Sequence, residues 1–479
     1  MAVRGASGPV AVPEAHGSER DDERIKTKKA MPALLMISLL GGLLLQGFNL
    51  VYQSIGDSLG MSSSAVLIST LPGVVLGVVC MLYGTLCDFL SPRRISLFGI
   101  VTLCAGGVIG FVGASNFWMI IIARIIQTIG GQVSASVLVV MAVTYLSARN
   151  RAIYIGLFNA VSYLSGAVGV LAGGLIASMD WRYLFLVPVA SVVFIPWVVR
   201  DLPDRAKASK RIDYVGILLF GGFAAAGTIY FSFPSMTCAL AIVVLFVAFA
   251  LYVWKARDPF LNRSFIANGG YMGLVLLVAL FFAFNYVRVP LYNVIGGVIY
   301  DLPLGRISVG IALLYVIATI VGCLSGPITN RIGRFWSVVS AAVLMIAGFV
   351  GCALFIRSGF WVLVAFGGLA IAGVTIVYTP LYSYISDVLP EKEHGRGVGV
   401  CDLVLYASAS IGMSIYGNLM SDRRLASWSL FVHGTGTAAS VVNMFWVIAG
   451  VCVVALAVYL LYERWMSRGK EPIAAASVA

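Results

Sequence analysis

An all-α membrane protein of about fourteen transmembrane helices is the fold class this sequence predicts, and three observations predict it. Of its 479 residues, 60% are hydrophobic and only 11% are charged, where soluble domains carry roughly 25% charge. A soluble chain this apolar lacks the polar groups to cover its own surface. Second, the apolar residues come in long runs, and a helix needs roughly 20 of them to cross about 30 Å of hydrocarbon. Third, there are 52 glycines, a residue common in membrane helices because it lets backbones approach closely.

The runs place the helices in order at 31–54, 64–87, 95–114, 117–146, 153–178, 183–199, 214–233, 237–254, 268–297, 307–328, 335–356, 360–388, 398–418 and 440–463. Some are longer than a straight crossing requires, which predicts tilting or breaking. The run 268–297 holds Pro290 and the pair Gly296-Gly297, so its outer end is expected to be irregular. Residues 1–30 are polar, with Glu19 to Glu23 followed by Lys26, Lys28 and Lys29. They are expected to form a disordered cytoplasmic tail. A secretory signal would bring its apolar core earlier and end at a small-residue cleavage site.

The net charge of +12 does not point to nucleic acid, because the charges are scattered between apolar runs and not gathered on one basic domain. Basic loops facing the cytoplasm account for it better. With the N-terminus inside, the inner segments hold Lys26, Lys28, Lys29, Arg93, Arg94, Arg149, Arg151, the 200–211 cluster, Lys255, Arg257, Arg263, Arg331, Arg334, Lys392, Arg396, Arg464, Arg468 and Lys470. The outer segments hold Arg182, Arg306, Arg357, Arg423 and Arg424, with Arg288 near that side. Both termini are then cytoplasmic. The expected organisation is a tail at 1–30, a six-helix bundle at 31–199, a linker with two accessory helices at 200–267, a second six-helix bundle at 268–465 and a cytoplasmic tail at 466–479. The eight cysteines lie in or beside apolar runs with no paired metal spacing, and read as small packing residues. No soluble segment is long enough for a core of its own, and no cluster of nucleophile and base appears in the runs. A transporter is expected, not an enzyme, with no catalytic residues, metal or cofactor.

One loop is used twice. After the second run come Gly84, Asp88, Pro92, Arg93 and Arg94; after the tenth come Gly326, Pro327, Asn330, Arg331, Gly333 and Arg334. Repeated halves suit a transporter whose two bundles rock about a central site. The first copy resembles the signature loop of the major facilitator superfamily, G-x-L-a-D-r-x-G-r-k. Arg124, Gln127, Gly130 and Gly131 resemble its fourth-helix motif, and Gly166, Gly169, Gly173 and Gly174 its fifth-helix antiporter motif. Asp180-Trp181-Arg182, with Phe185 and Pro188, resembles a turn of the fourteen-helix drug:proton antiporters. Arg211, Asp213 and Gly216, and Asp258-Pro259-Phe260, resemble the segments flanking that branch's two extra helices, and Asp422 to Leu425 resembles a loop of the Gram-positive tetracycline antiporters. The resemblance covers roughly residues 31–465. It implies two six-helix bundles around a midplane cavity, with the extra helices as an accessory hairpin. It also implies a conformational switch loop at Gly84, Asp88, Arg93 and Arg94.

The departures are as informative. The stretch Leu43 to Asn49 has no acid where these antiporters usually carry one. Val170 replaces the fifth-helix proline, Asn330 the acid of the second loop, and Ile411 stands where the thirteenth helix has a second acid. The charged candidates that remain within the runs are Arg124 and Asp402, for a charge or proton relay, and Arg288 at the end of its run. Gln46, Asn49, Gln127, Gln132, Asn159, Tyr163, Asn285, Tyr286, Tyr378, Tyr382 and Tyr406 are candidates to line a cavity. The expected function is proton-coupled efflux of an amphipathic small molecule or drug. The alternative is an uncoupled facilitator or an exporter of an endogenous metabolite. A small-molecule substrate, protons and the lipid bilayer are the expected partners, without nucleic acid, for a monomer in a bacterial plasma membrane.

Overall fold

Where the helices begin and end follows from local chemistry. In the computed structural model the described residues are 15–86, 90–145, 148–204, 213–256, 267–390, 394–422, 424–429 and 436–468. Among them the chain is helical nearly throughout, with no strand. Helix α1 runs Ala15–Ser58 and α2 Leu67–Leu86. Helix α3, Pro92–Val112, starts where the Ser91 hydroxyl accepts the Arg94 N–H and Pro92 takes the first position, a site where its missing N–H costs nothing. Asn116 likewise accepts the first free amides of α4, Phe117–Tyr145. Helix α5, Ala148–Asp180, ends where Asp180 turns to cap a short 3-10 segment, Trp181–Phe185.

The sixth crossing is irregular: a 3-10 stretch, Val187–Phe194, runs into α6, Ile195–Asp201. Prolines 188 and 196 stand near the start of each piece, and proline removes a backbone donor from a helix. Two capped helices follow, α7 at Tyr214–Ser232 behind Asp213 and α8 at Met236–Lys255 behind Ser235. The ninth crossing breaks as expected, and deeper than expected. Helix α9, Gly269–Phe282, stops, a turn intervenes, and α10, Arg288–Val294, leads into a π-helical turn at Ile295–Ile299.

Helix α11 spans Leu304–Leu354 and contains two crossings, joined at Gly333 with φ 82° and ψ 161°. The remaining helices are α12 Phe360–Ser383, α13 Ile385–Val388, α14 His394–Ser421 and α15 Thr437–Arg468. Among the described residues, eleven helices are long and apolar enough to cross a bilayer. The second arm of α11 and the irregular sixth and ninth crossings bring the number to fourteen.

Two expectations are corrected. Residues 15–30 are not a disordered tail; they are the opening turns of α1, and Thr27 and Ala30 are buried. The helix runs through Pro32, and between Gly17 and Pro32 the chain has no further glycine or proline to break it. The second copy of the repeated loop is likewise no open loop, since its residues are helical apart from Gly333.

The helices form two bundles. In the first, α1 packs on α4 and α5, α3 on α4, and α2 on α4; in the second, α11 packs on α12 and α15, and α9 on α14 and α15. Glycines set the closest approaches. A Cβ at Gly41 would meet the Gly131 backbone at 2.9 Å, and one at Gly169 would strike the Leu43 carbonyl. In lipid, where water does not drive helices together, such backbone contact is a main source of packing energy. The bundles meet along two seams, α5 with α11 and α2 with α14. The α7–α8 hairpin lies against α2 and α14. Only 11% of the α8 apolar window is buried, which suits a helix whose solvent is lipid.

Candidate functional site

Between the bundles lies a cavity of about 320 Å³, walled by α1, α2, α4 and α5 on one side and by α9 to α12 and α14 on the other. Its size falls in the range of small-molecule sites. It is sealed at one end. There the Asn293 amide donates to the Leu50 carbonyl at 2.7 Å, and Gly174 packs on Ser308. From that end the lining runs the other way, to Ser38 on α1, Phe158 and Ser162 on α5, Ser325 on α11 and Thr379 on α12.

Arg124 is among the largest fully buried side chains of the described residues. Its guanidinium stacks on the Phe48 ring, 4.2 Å from the centroid, and donates to Gln127 Oε1 at 3.3 Å. Gln127 stands one turn along α4, the spacing that puts two side chains on one helix face. Its own amide donates to the Phe185 carbonyl at 3.2 Å. The fourth-helix residues are thus tied to the turn that follows Asp180. Arg124 forms no ion pair among the described residues, and its Nε has no hydrogen-bond partner. A charge left this way inside a membrane protein is costly, and by default it marks a site.

Arg288 opens α10 just after the break in the ninth crossing, and lines the same cavity. It donates to Asn285 Oδ1 at 3.0 Å, and its guanidinium lies 5.8 Å from the Tyr315 ring centre. The break explains its position. The turn at 283–287 sets Arg288 at the start of α10, beside Tyr315 of α11.

Asp402 lies eight residues into α14, roughly 12 Å from the helix start at the usual rise. It is half-buried and accepts the Tyr382 hydroxyl at 2.6 Å. Tyr382 stacks on Tyr378 with centroids 4.1 Å apart, and Tyr378 lines the cavity. Asp402 is thereby joined to the cavity wall without being part of it. It forms no ion pair with Arg124.

Of the other cavity candidates, Gln46, Gln127, Gln132, Tyr163, Asn285, Tyr286 and Tyr406 are on the lining. Asn49 is not: it is buried and donates to Gln46 at 3.2 Å, because the seal at Leu50 closes the cavity just before it. Tyr382 is not on the lining either, being spent on Asp402. Asn159 belongs to α5, but its side chain lies outside the described residues. Tyr315, Ser162, Thr375 and Thr379 line the cavity and were missing from the sequence-based candidates. Tyr315 answers the same signal as Tyr378, a tyrosine in mid-run.

The fifth-helix glycines divide their work. Gly166 lines the cavity and abuts the Tyr315 ring, Gly169 and Gly173 admit the α1 backbone, and Gly174 admits Ser308 across the seam. Of the switch-loop residues, Asp88 lies outside the described residues, and Gly84 is described only as α2 backbone. Arg93 donates to the Leu202 carbonyl at 3.1 Å, and Arg94 pairs with Asp204 at 3.2 Å. The Ser91 hydroxyl, followed by Arg94 and Arg93, holds the Asp204 carboxyl below the usual carboxylate range. In the second copy, Arg334 pairs with Asp387 at 2.7 Å and stacks on Tyr384. Arg93 and Arg94 of the first copy, and Arg334 of the second, are tied to acids of their own half of the chain.

Comparison with known proteins accords with this geometry. The family model of the Major Facilitator Superfamily matches residues 34–413. The chain belongs to this superfamily. Its members are transporters, and with its fourteen crossings this one is a multi-pass membrane protein. Relatives include the MFS-type transporter YhcA of Bacillus subtilis, 22% identical over 85% of this chain and 80% of its own length. The multidrug resistance protein Stp of Mycobacterium tuberculosis is 26% identical over 74% of this chain and 67% of its own. The puromycin resistance protein pur8 of Streptomyces alboniger is 28% identical over 48% of each. These relatives agree with the drug:proton antiporter branch. Among solved structures, the nucleoside transporter NupG superposes with a TM-score of 0.64 at 12% identity, covering 90% of this chain and 99% of that one. The D-xylose–proton symporter gives 0.62 at 14%, covering 89% and 96%. At such identities the likeness is one of fold.

Proposed function

We propose that this superfamily member is a proton-coupled exporter of an amphipathic small molecule, working by alternating access about the central cavity. The observation that carries the reading is the cavity itself, walled by both bundles, sealed at one end and lined towards the other. By the basic-loop rule the sealed end faces outwards and both chain termini face the cytoplasm. This is the loading state of an exporter. The drug-resistance relatives support efflux as the direction.

Coupling needs a group that changes its exposure to protons between the two states. Asp402 is the acid that adjoins the cavity wall, through Tyr382 and Tyr378, and we assign it that role. A second reading, uncoupled facilitation, draws support from the lining, which has no carboxylate among the described residues. Proteoliposomes separate the two. With an imposed pH gradient the parent should concentrate cargo, whereas Asp402→Asn should only exchange cargo downhill. If collapsing the gradient leaves parental transport unchanged, and the asparagine variant matches the parent, antiport is lost and facilitation stands.

A further inference from the structure

The charges of the cavity wall all have one sign. Among the described residues the lining contains Arg124 and Arg288 and no aspartate, glutamate, lysine or histidine. One arginine comes from each bundle. Their hydrogen bonds within the protein go to side-chain amide oxygens, not to carboxylates. The Nε of each is buried with no hydrogen-bond partner among the described residues, and so is the Tyr286 hydroxyl on the same wall. With the Tyr315 hydroxyl, which likewise lacks a hydrogen-bond partner, four donors go unanswered around one cavity. A guanidinium keeps its proton under all ordinary conditions and presents a fork of N–H groups that matches a carboxylate, sulfonate or phosphate. The rest of the wall mixes apolar and aromatic side chains, Phe282, Tyr378 and Ile371 among them, with neutral polar ones such as Gln46, Gln132 and Thr375.

We propose that the cavity takes an amphipathic organic anion, its acidic group held by Arg124 and Arg288 and its apolar body lying against the aromatic wall. The proposal deepens the export reading and rests on it. A cationic drug would meet two positive groups with no acid on the lining to offset them. The Asp402 carboxylate stands off the lining and already accepts from Tyr382. The placement also gives the anion a mechanical role. A ligand that bridges an arginine of one bundle and an arginine of the other favours the state that brings them together, and a ligand shifts an equilibrium only by such differential contact.

Three probes of one shape test this on the full chain in lipid nanodiscs: 2-naphthalenesulfonate, 2-naphthol and trimethyl(2-naphthyl)ammonium. The sulfonate should bind at least tenfold more tightly than the ammonium. Arg288→Gln should weaken sulfonate binding at least tenfold and change naphthol binding less than twofold, and Arg288→Lys should restore part of the loss. Arg124→Lys, which keeps the buried charge, should retain sulfonate binding if its melting profile is intact. Equal or tighter binding of the ammonium overturns the proposal. So does an Arg288→Gln variant that binds the sulfonate like the parent, or a parent that does not bind it at millimolar concentration. A transport arm keeps the two readings apart. Arg288-dependent sulfonate binding with no movement of any probe sinks export and leaves the anion site standing. Uphill export of the ammonium sinks the anion site and leaves export standing.

Discussion

Gln127 shows how much can hang on a neutral side chain. It accepts from Arg124 and donates to the Phe185 carbonyl, so it satisfies a buried charge and a buried backbone group together. Gln127→Leu keeps the volume and removes both bonds. We expect a loss of about 1–3 kcal/mol, the usual cost of stranding buried polar groups, seen as a lower melting temperature in nanodiscs; a melt that does not move would show that Arg124 finds another partner. Asp204 gives a pH signature. Its folded carboxyl is held low, first by Ser91 and then by Arg94 and Arg93. The stabilisation is therefore present above the ordinary carboxylate range, near pH 4, and is lost as the pH falls through the lowered folded value. Melting temperature should drop over that acid window in the parent and more gently in Asp204→Asn. Parallel profiles would mean that the contact contributes nothing. Arg124 and Asp402 were legible in the sequence because a charge within an apolar run stands out. Arg288 was visible as a residue, but its place was not, because that depends on where the ninth helix breaks. Asn49 and Tyr382 carry the same polar signal as their lining neighbours, and the packing around them, which no single sequence spells out, turns them to other partners.

At the scale of elements, the runs were read nearly to their ends, because hydropathy and the bilayer's thickness fix them together. The junctions were harder. Hydropathy drops at 329–334, which suggests a loop, yet the backbone there stays helical and turns on one residue. Gly333, with φ 82° and ψ 161°, occupies a region that in practice only glycine visits, at a cost of about 1–3 kcal/mol for other residues. A Cβ there would meet open space, so any penalty is conformational and not steric. Gly333→Ala should therefore lower the melting temperature without altering probe binding in the cavity. An alanine variant as stable as the parent would mean that the two arms of α11 can be joined in another way. The sixth crossing was found despite its 3-10 geometry, since burial depends on apolar residues more than on which carbonyl each amide chooses.

The whole molecule is held at one end by contacts that cross between the bundles. Asn293 reaches Leu50, and Ser308 fits against Gly174. Alternating access requires these contacts to part. A disulfide between Leu50→Cys and Asn293→Cys should therefore arrest transport and leave cavity binding intact, with reduction restoring turnover. Continued transport by the fully oxidised variant would place the moving parts elsewhere. Two halves and an inserted hairpin could be read from the repeated loop and from the count of runs. Which state the molecule rests in could not, because both states use the same helices and differ only in which end of the seams is closed.

The hairpin has a consequence in the plane of the bilayer. Helix α7 of the hairpin lies along the line where α2 meets α14, with α8 packed on α7, and among the described residues no helix so covers the line where α5 meets α11. The transporter therefore has a roofed flank and a bare flank. Leu240, Val244 and Leu251 of α8 face outwards, as does Ile320 of α11, whereas Leu403 on α14 is buried. An oily cargo already dissolved in the leaflet meets a wall on the roofed side, and its lateral way in is by the bare flank. A photoactivatable acyl chain should label α8 and the Ile320 face and spare Leu403. Labels on Leu403 would mean that the roof lifts.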